Sequence, residues 1–319
     1  FVGSEPKMMT TRPRCERVER LHVDFVVKLE PRYAGPALPP GRDAFGRAYR
    51  KIAYDSGVYE ECVNNPLAAY TSVFEIERHY VWPSPDWWDY SGLAGELRGF
   101  EEYPVQGGGS EPFLIYKDLR GQEQAFVDLV ENPDIVRHCL DKLFALAYEN
   151  TRRLFEAVPG RITFTYVAED MGGQTDLMTS LAHIREFLLP RMKRTIDLSH
   201  QGGAFVFHHN DGAIRRIIPD MIAAGIDVLN PIQWRCGGME REALKRDFGA
   251  KLAFHGGMDN QRTLPFGSVE DVRREVLDNL RVLGAGGGYI LAPCHNIQAL
   301  TPPENIVAMY ETCYEHGWS

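Results

Sequence analysis

The chain has 319 residues, 44% of them hydrophobic and 25% charged, the make-up of an ordinary globular protein long enough for a sizeable core. A net charge of −9 argues against nucleic acid as a partner, because phosphate binding needs a concentrated basic face. The one basic cluster, Arg12 to Arg20, is interleaved with Glu16 and Glu19 and reads as a solvated helix face. Six scattered cysteines, at 15, 62, 139, 236, 294 and 313, contain no C-x-x-C pair; they make no disulfide framework and fit a reducing cytosol. No apolar run approaches the roughly 20 residues of a membrane span. The expectation is a cytoplasmic protein binding neither nucleic acid nor membrane. The first residue is Phe, so a leader segment stays open.

In chain order, residues 21–29 (LHVDFVVKL) form one strand candidate, and the Pro- and Gly-rich stretch 31–46 reads as a loop. A short helix is expected after Pro66, over 66–80. The aromatic, proline-broken segment 80–90, with Trp82, Trp87 and Trp88, reads as a lid or packing loop over a barrel end, or as an apolar wall for a planar ligand. After Gly107-Gly108-Gly109 a regular alternation begins. Asn132 caps a helix with Pro133 in its first turn, running to about Glu156 on a stripe of Ile135, Cys139, Leu140, Leu143, Leu146 and Ala147. Strand 162–168 is followed by helix 180–200, 204–209 by 212–224, 228–232 by 239–248, 252–256 by 268–283, and 289–292 by 302–316. Ser268 opens its helix with an acidic first turn, and Thr301-Pro302-Pro303-Glu304 has the pattern of a capping box.

Strands separated by single helices imply parallel pairing with right-handed crossovers. The expected fold class is α/β, a (β/α)8 TIM-type barrel with an N-terminal extension; an open doubly wound sheet is the alternative. Domain organisation is read as one β/α-barrel domain, 1–319, with extension and lid elements in 1–100 and the barrel core in 101–319. No glycine-rich phosphate motif follows any strand. The glycines at 284 and 286–288 follow a helix and precede a strand, which makes them a turn.

In such a barrel the C-terminal ends of the strands carry the chemistry. Along 204–209, Phe207 and His209 point one way, Val206 and His208 the other. His208 is therefore a packed, hydrogen-bonded histidine. The polar strand ends are Glu169-Asp170, His209-Asn210-Asp211, Asn230 to Gln233, His255 to Asp259, and Cys294-His295. Glu169, Asp170 and His209 are the candidate catalytic groups. The first two are adjacent and cannot both face a pocket, so one is a general base or ligand anchor and its neighbour a loop or helix-cap residue. Asn230, Gln233, His255, Asp259, His295 and Trp87 are candidate substrate contacts, with turn capping the plainer reading of Asp259. His209, Asp211 and Cys294 are residue types that bind zinc, although Cys294 reads equally well as a small buried apolar side chain.

At these residues the chain resembles the uroporphyrinogen decarboxylase superfamily, and within it the corrinoid-dependent methyltransferases. The resemblance lies in Glu169-Asp170-Met171-Gly172 with Gln174, His209 to Gly212, Gly225 to Gln233, Lys245 to Gly249, Gly256 to Asp259, and Ala292 to Gln298 with Pro303 to Ile306. It covers roughly residues 95–317 and implies a barrel with a deep pocket at the strand C-termini. True decarboxylases carry an R-Q-A-G-R stretch that neutralises a polyacidic tetrapyrrole; this chain has none. The methyltransferase branch carries zinc on His-x-Cys and a late Cys. His209 and Cys294 match the outer positions, whereas Asp211 stands where the first cysteine belongs, a harder site suited to an oxygen or nitrogen substituent.

The resemblance implies a methyltransferase of demethylase type. It would move a methyl group between a small O- or N-methylated substrate and a corrinoid (cobalamin) cofactor on a separate carrier protein, with zinc assisting. A cofactor-free lyase and a non-catalytic barrel binding protein are the rivals. Nothing in the sequence fixes the substrate, the direction of transfer or whether the chain forms a homo-oligomer.

Overall fold

A computed structural model describes residues 26–54 and 57–317. The cluster Arg12–Arg20, Cys15 and most of the 21–29 strand candidate fall outside them. Seven strands form one parallel sheet: β1 (Val27–Leu29), β6 (Val105–Ser110), β7 (Phe164–Val167), β8 (Phe205–His209), β9 (Val228–Asn230), β10 (Ala253–Met258) and β11 (Tyr289–Pro293). Two small antiparallel pairs lie outside it, β2 (Arg32–Tyr33) with β5 (Trp88–Asp89) and β3 (Tyr49–Tyr54) with β4 (Gly57–Cys62).

Each strand of the large sheet lies beside its predecessor, in the order β1-β6-β7-β8-β9-β10-β11. A doubly wound sheet reverses direction at a switch point; this one never does, which removes the open-sheet alternative. The chain is an α/β protein on a curled parallel sheet that accords with a TIM-type barrel, with seven strands rather than eight among the described residues. The sheet does not begin at residue 101, because β1 pairs with β6 through Val27↔Val105.

Alternation sorts the side chains. Val167, Val206, Leu229 and Phe254 join the helices in the main core, while Tyr166, Phe207 and His255 meet ring to ring on the other face. Gly107–Gly109 lie within β6 rather than ahead of the alternation. Gly109 (φ +80°) is required there, since a Cβ would sit 1.7 Å from the Tyr166 carbonyl oxygen.

Helix Pro133–Ala157 buries the expected stripe. Its N-cap, Asn132, makes no side-chain capping bond; the amide donates to Asp128 Oδ1 instead, at 2.9 Å. The expected 180–200 helix contains a π-turn, Ile184–Leu188, before Leu189–Gln201. Pro190, which has no N–H to donate, sits at the restart. Helix Ile218–Ala224 begins six residues later than expected, because Gly212 (φ +86°) holds a turn and Pro219 opens the helix. After Pro66 the helix is only Val73–His79, capped by Ser72. Helix Arg241–Phe248 also starts later than expected. Ser268 and Asp271 form a full capping box on Val269–Leu283. The box expected at Thr301 does not form, because Pro302 takes the N-cap of Pro303–His316.

Residues 67–70 are fastened to the sheet layers by a buried ion pair. Arg120 Nε donates to Asp128 Oδ2 at 2.7 Å, and Arg120 also donates to the carbonyls of Leu67 and Tyr70. Tyr116, Gln124 and Asn132 donate to the same carboxylate. These bonds outweigh burial and hold the Asp128 pKa below the usual range. Asp128→Ala strands a buried guanidinium, so urea unfolding should show a loss of about 3–5 kcal/mol. A loss below about 1 kcal/mol would refute this account.

Candidate functional site

Parallel register carries the strand ends to one edge. Tyr166 lies beside Phe207, and His209 beside Asn230. The turns beyond are knitted backbone to backbone, with Glu169 N–H donating to the His209 carbonyl and Asn210 N–H to the Asn230 carbonyl. The loops after β7 and β8 approach so closely that a Cβ on Gly172 would lie 2.4 Å from the Asp211 carbonyl oxygen, and one on Gly212 2.5 Å from that of Gly173.

Asp170, His209 and Asp211 thereby converge, with one potential ligand atom from each within 4.8 Å of the others. His209 Nε2 lies 3.5 Å from Asp170 Oδ1 and 3.9 Å from Asp211 Oδ1. His209 Nδ1 meets Asn230 Oδ1 at 2.6 Å, and Asn230 Nδ2 meets His255 Nδ1 at 2.7 Å. Gln233 donates to Asp211 Oδ1 at 3.0 Å and accepts from Gly212 N–H at 2.7 Å. Six expected site residues thus gather: Asp170, His209, Asp211, Asn230, Gln233 and His255.

The others do not join them. Glu169 is fully buried, and both carboxyl oxygens accept the Phe113 N–H in the first turn of helix Pro112–Arg120, at 2.8 and 3.0 Å. It is the helix-cap member of the pair, and burial pushes its pKa well up. Cys294 stays outside the three-residue cluster. Its thiol donates to the Ile232 carbonyl at 3.2 Å, and burial raises its pKa well above the thiol range. Asp259 caps its own turn through Gln261 N–H and pairs with Arg235. Together with Gln233, Trp234, Cys236 and Cys294, these two residues line a small cavity of about 20 Å³ beside the cluster. His295 is half-buried at the end of β11.

The segment 80–90 makes packing contacts, as one of its expected readings had it. Trp87 packs edge-on to Tyr33, and its neighbour Asp86 pairs with Arg153 of helix Pro133–Ala157, while Trp82 packs on His138 of the same helix. Between its contacts at His138 and Arg153 the segment tracks that helix over about 22 Å.

Two residues at the site escaped the sequence reading. The Tyr166 ring lies tilted against His209, 5.9 Å between centroids, and its hydroxyl donates to Glu111 Oε1 at 3.0 Å. Glu111 directly follows β6, and that strand end was hidden by the glycine run.

Burial pushes the His209 pKa down, but the Asp211 and Asp170 carboxylates and the Asn230 hydrogen bond prevail, and the net shift is upward. In His208 and His255 desolvation prevails, and they fall to about 4 and about 3. His208 faces away, donating from Nδ1 to the Val167 carbonyl. One imidazole and two carboxylates suit a borderline or hard divalent cation. The His209 ring is oriented for it, since a hydrogen-bonded Nδ1 leaves Nε2 to ligate.

Residues 94–316 match the uroporphyrinogen decarboxylase (URO-D) family. The chain belongs to that family. Uroporphyrinogen decarboxylase of Nitrosococcus oceani is 24% identical over 236 residues, covering 70% of this chain and 57% of that protein. Its counterpart in Pseudomonas putida is 28% identical over 232 residues, covering 70% and 58%. The match therefore spans less than two thirds of these curated relatives. A methyltransferase from Methanosarcina mazei has a similar fold, with a TM-score of 0.63 at 18% identity over 94% of this chain and 82% of that one.

Two outcomes follow for this URO-D member. His208 and His255 are neutral when folded and titrate near pH 6.5 when unfolded. Their contribution is intact above about pH 6.5 and lost as pH falls through about 4 and about 3. His209, with the opposite shift, partly offsets them. Urea unfolding should show about 2–4 kcal/mol less stability at pH 5 than at pH 7.5, with a shallower slope in His208→Leu; an unchanged slope would contradict the assignment. Glu169→Gln keeps an acceptor for Phe113 and should leave divalent-cation affinity within threefold of wild type in a competition titration, whereas Asp170→Asn should weaken it at least tenfold.

Proposed function

We propose that this protein is a metal-assisted methyltransferase of the URO-D superfamily, moving a methyl group between a small O- or N-methylated compound and a corrinoid delivered by a carrier protein. The observation that carries this reading is the convergence of Asp170, His209 and Asp211 at the C-terminal edge of the sheet. These three residues, rather than His209, Asp211 and Cys294, would hold zinc or a similar cation. Bound there, the cation would act as a Lewis acid on the heteroatom that gives up its methyl group, and the corrinoid would supply the methyl-accepting nucleophile. The chain's own residues orient and desolvate: Asn230 fixes the His209 ring, Gln233 holds Asp211, and Tyr166 with Glu111 offers a hydrogen-bonded hydroxyl beside the cluster. A cytoplasmic setting suits the reduced cofactor.

Decarboxylation is the second reading, favoured by the two curated relatives described above, both of which carry that name. Its difficulty is the lack of the R-Q-A-G-R motif that neutralises a polyacidic substrate, and Arg235 beside the cluster is already paired with Asp259 and Glu275.

Metal analysis of purified protein should find about one zinc per chain. It should be lost in Asp170→Ala, His209→Ala and Asp211→Ala and kept in Cys294→Ser. Incubation with reduced cobalamin and a panel of methylated ethers and amines should produce methylcobalamin absorbance in the zinc-loaded protein only. Metal loss in Cys294→Ser with retention in Asp170→Ala would restore the thiol-containing set. Carbon dioxide release without metal would favour the lyase, and no turnover with any donor would favour a non-catalytic barrel.

A further inference from the structure

Two imidazoles flank one amide behind the cluster, and with the amide oriented as it is there, only one set of ring hydrogens satisfies both contacts. We propose that Asn230 is a positioning residue rather than a substrate contact: its side chain fixes which ring nitrogen carries the hydrogen in both His209 and His255, and so aims the His209 Nε2 lone pair between Asp170 and Asp211. The proposal rests on the metal-binding reading of that cluster.

An amide has one accepting end and one donating end. Asn230 Oδ1 faces His209 Nδ1 at 2.6 Å, so His209 carries its hydrogen on Nδ1 and leaves Nε2 to ligate. Asn230 Nδ2 faces His255 Nδ1 at 2.7 Å, so that nitrogen accepts and His255 carries its hydrogen on Nε2. Rotating the amide by half a turn would exchange both tautomers and place a hydrogen on His209 Nε2, where a cation must bind. Asn230 and His255 are 3% and 7% exposed, so water cannot readily substitute for either bond.

The same device occurs on the other face of β8. Asn210 Oδ1 accepts the Met171 N–H at 2.9 Å, which turns its amide nitrogen toward His208 Nε2 at 3.4 Å, while His208 Nδ1 donates to the Val167 carbonyl. There the backbone fixes the amide. At Asn230 the amide joins two rings, and changing its end groups changes both.

The test uses the full-length chain, metal-free and labelled with 15N-histidine, in wild type, Asn230→Asp and Asn230→Leu, and reads ring tautomers by long-range 15N–1H NMR. Zinc affinity is measured separately against a chromophoric chelator. In wild type, His209 should carry hydrogen on Nδ1 and His255 on Nε2. A carboxylate only accepts, so in Asn230→Asp the His255 ring should gain a hydrogen on Nδ1 while His209 keeps its own, with zinc affinity equal to or above wild type. In Asn230→Leu zinc affinity should fall about 10–100-fold with the circular dichroism spectrum intact. An Nδ1 of His255 that stays bare in Asn230→Asp, or wild-type zinc affinity in Asn230→Leu, would overturn the proposal. If Asn230→Leu does not fold, the near-isosteric Asn230→Asp decides alone. Should wild type bind no zinc, the metal reading fails, and the tautomer change still decides the role of Asn230.

Discussion

The parallel register between β7, β8 and β9 is the constraint on which the site depends. With Tyr166 level with Phe207, and His209 level with Asn230, the first residues beyond each strand must share one edge. The side-chain period of two decides what each does there: slipping β8 by one residue would bring His208 into the cleft and send His209 among the helices. That slip is opposed on the helix face. Val206 and His208 are wholly buried on the helix side, and His208 is bonded to Val167 and Asn210.

Two kinds of histidine result from one strand. His208 is desolvated, neutral and bonded to the backbone, a packing element with a polar edge. His209 is almost as buried but faces two carboxylates, which hold it in the opposite protonation preference. Neighbouring residues of the same type thus acquire different chemistry from whatever stands across the sheet from them.

Much of this was legible in the residues. The run 204–209 announces a strand ending in functional groups, and the recurring units announce a singly wound parallel sheet. Asp170, His209 and Asp211 could be singled out because strand ends in β/α units share a face. What the sequence could not supply was the choice between equivalents. Which of Glu169 and Asp170 enters the site depends on Phe113, 56 residues away, whose N–H claims the first carboxyl. Cys294 fits the expected ligand spacing, yet its thiol is engaged by the Ile232 carbonyl. Glu111 was obscured because three glycines at 107–109 hide the strand that they form, pressed against Tyr166. Trp87 has the composition of a ligand wall and serves the outside of a helix.

The close approach of the two loops at Gly172 and Gly212 sets a spacer for the site. The gap between the carboxylates of Asp170 and Asp211 is gauged by two missing methyl groups, since a Cβ at either glycine would strike the opposite loop's backbone. An alanine at either place would act as a shim, prising the acidic jaws apart by pressing on the backbone of the opposite loop. The spacing of the two carboxylate-bearing loops is thus written in the two smallest residues near them.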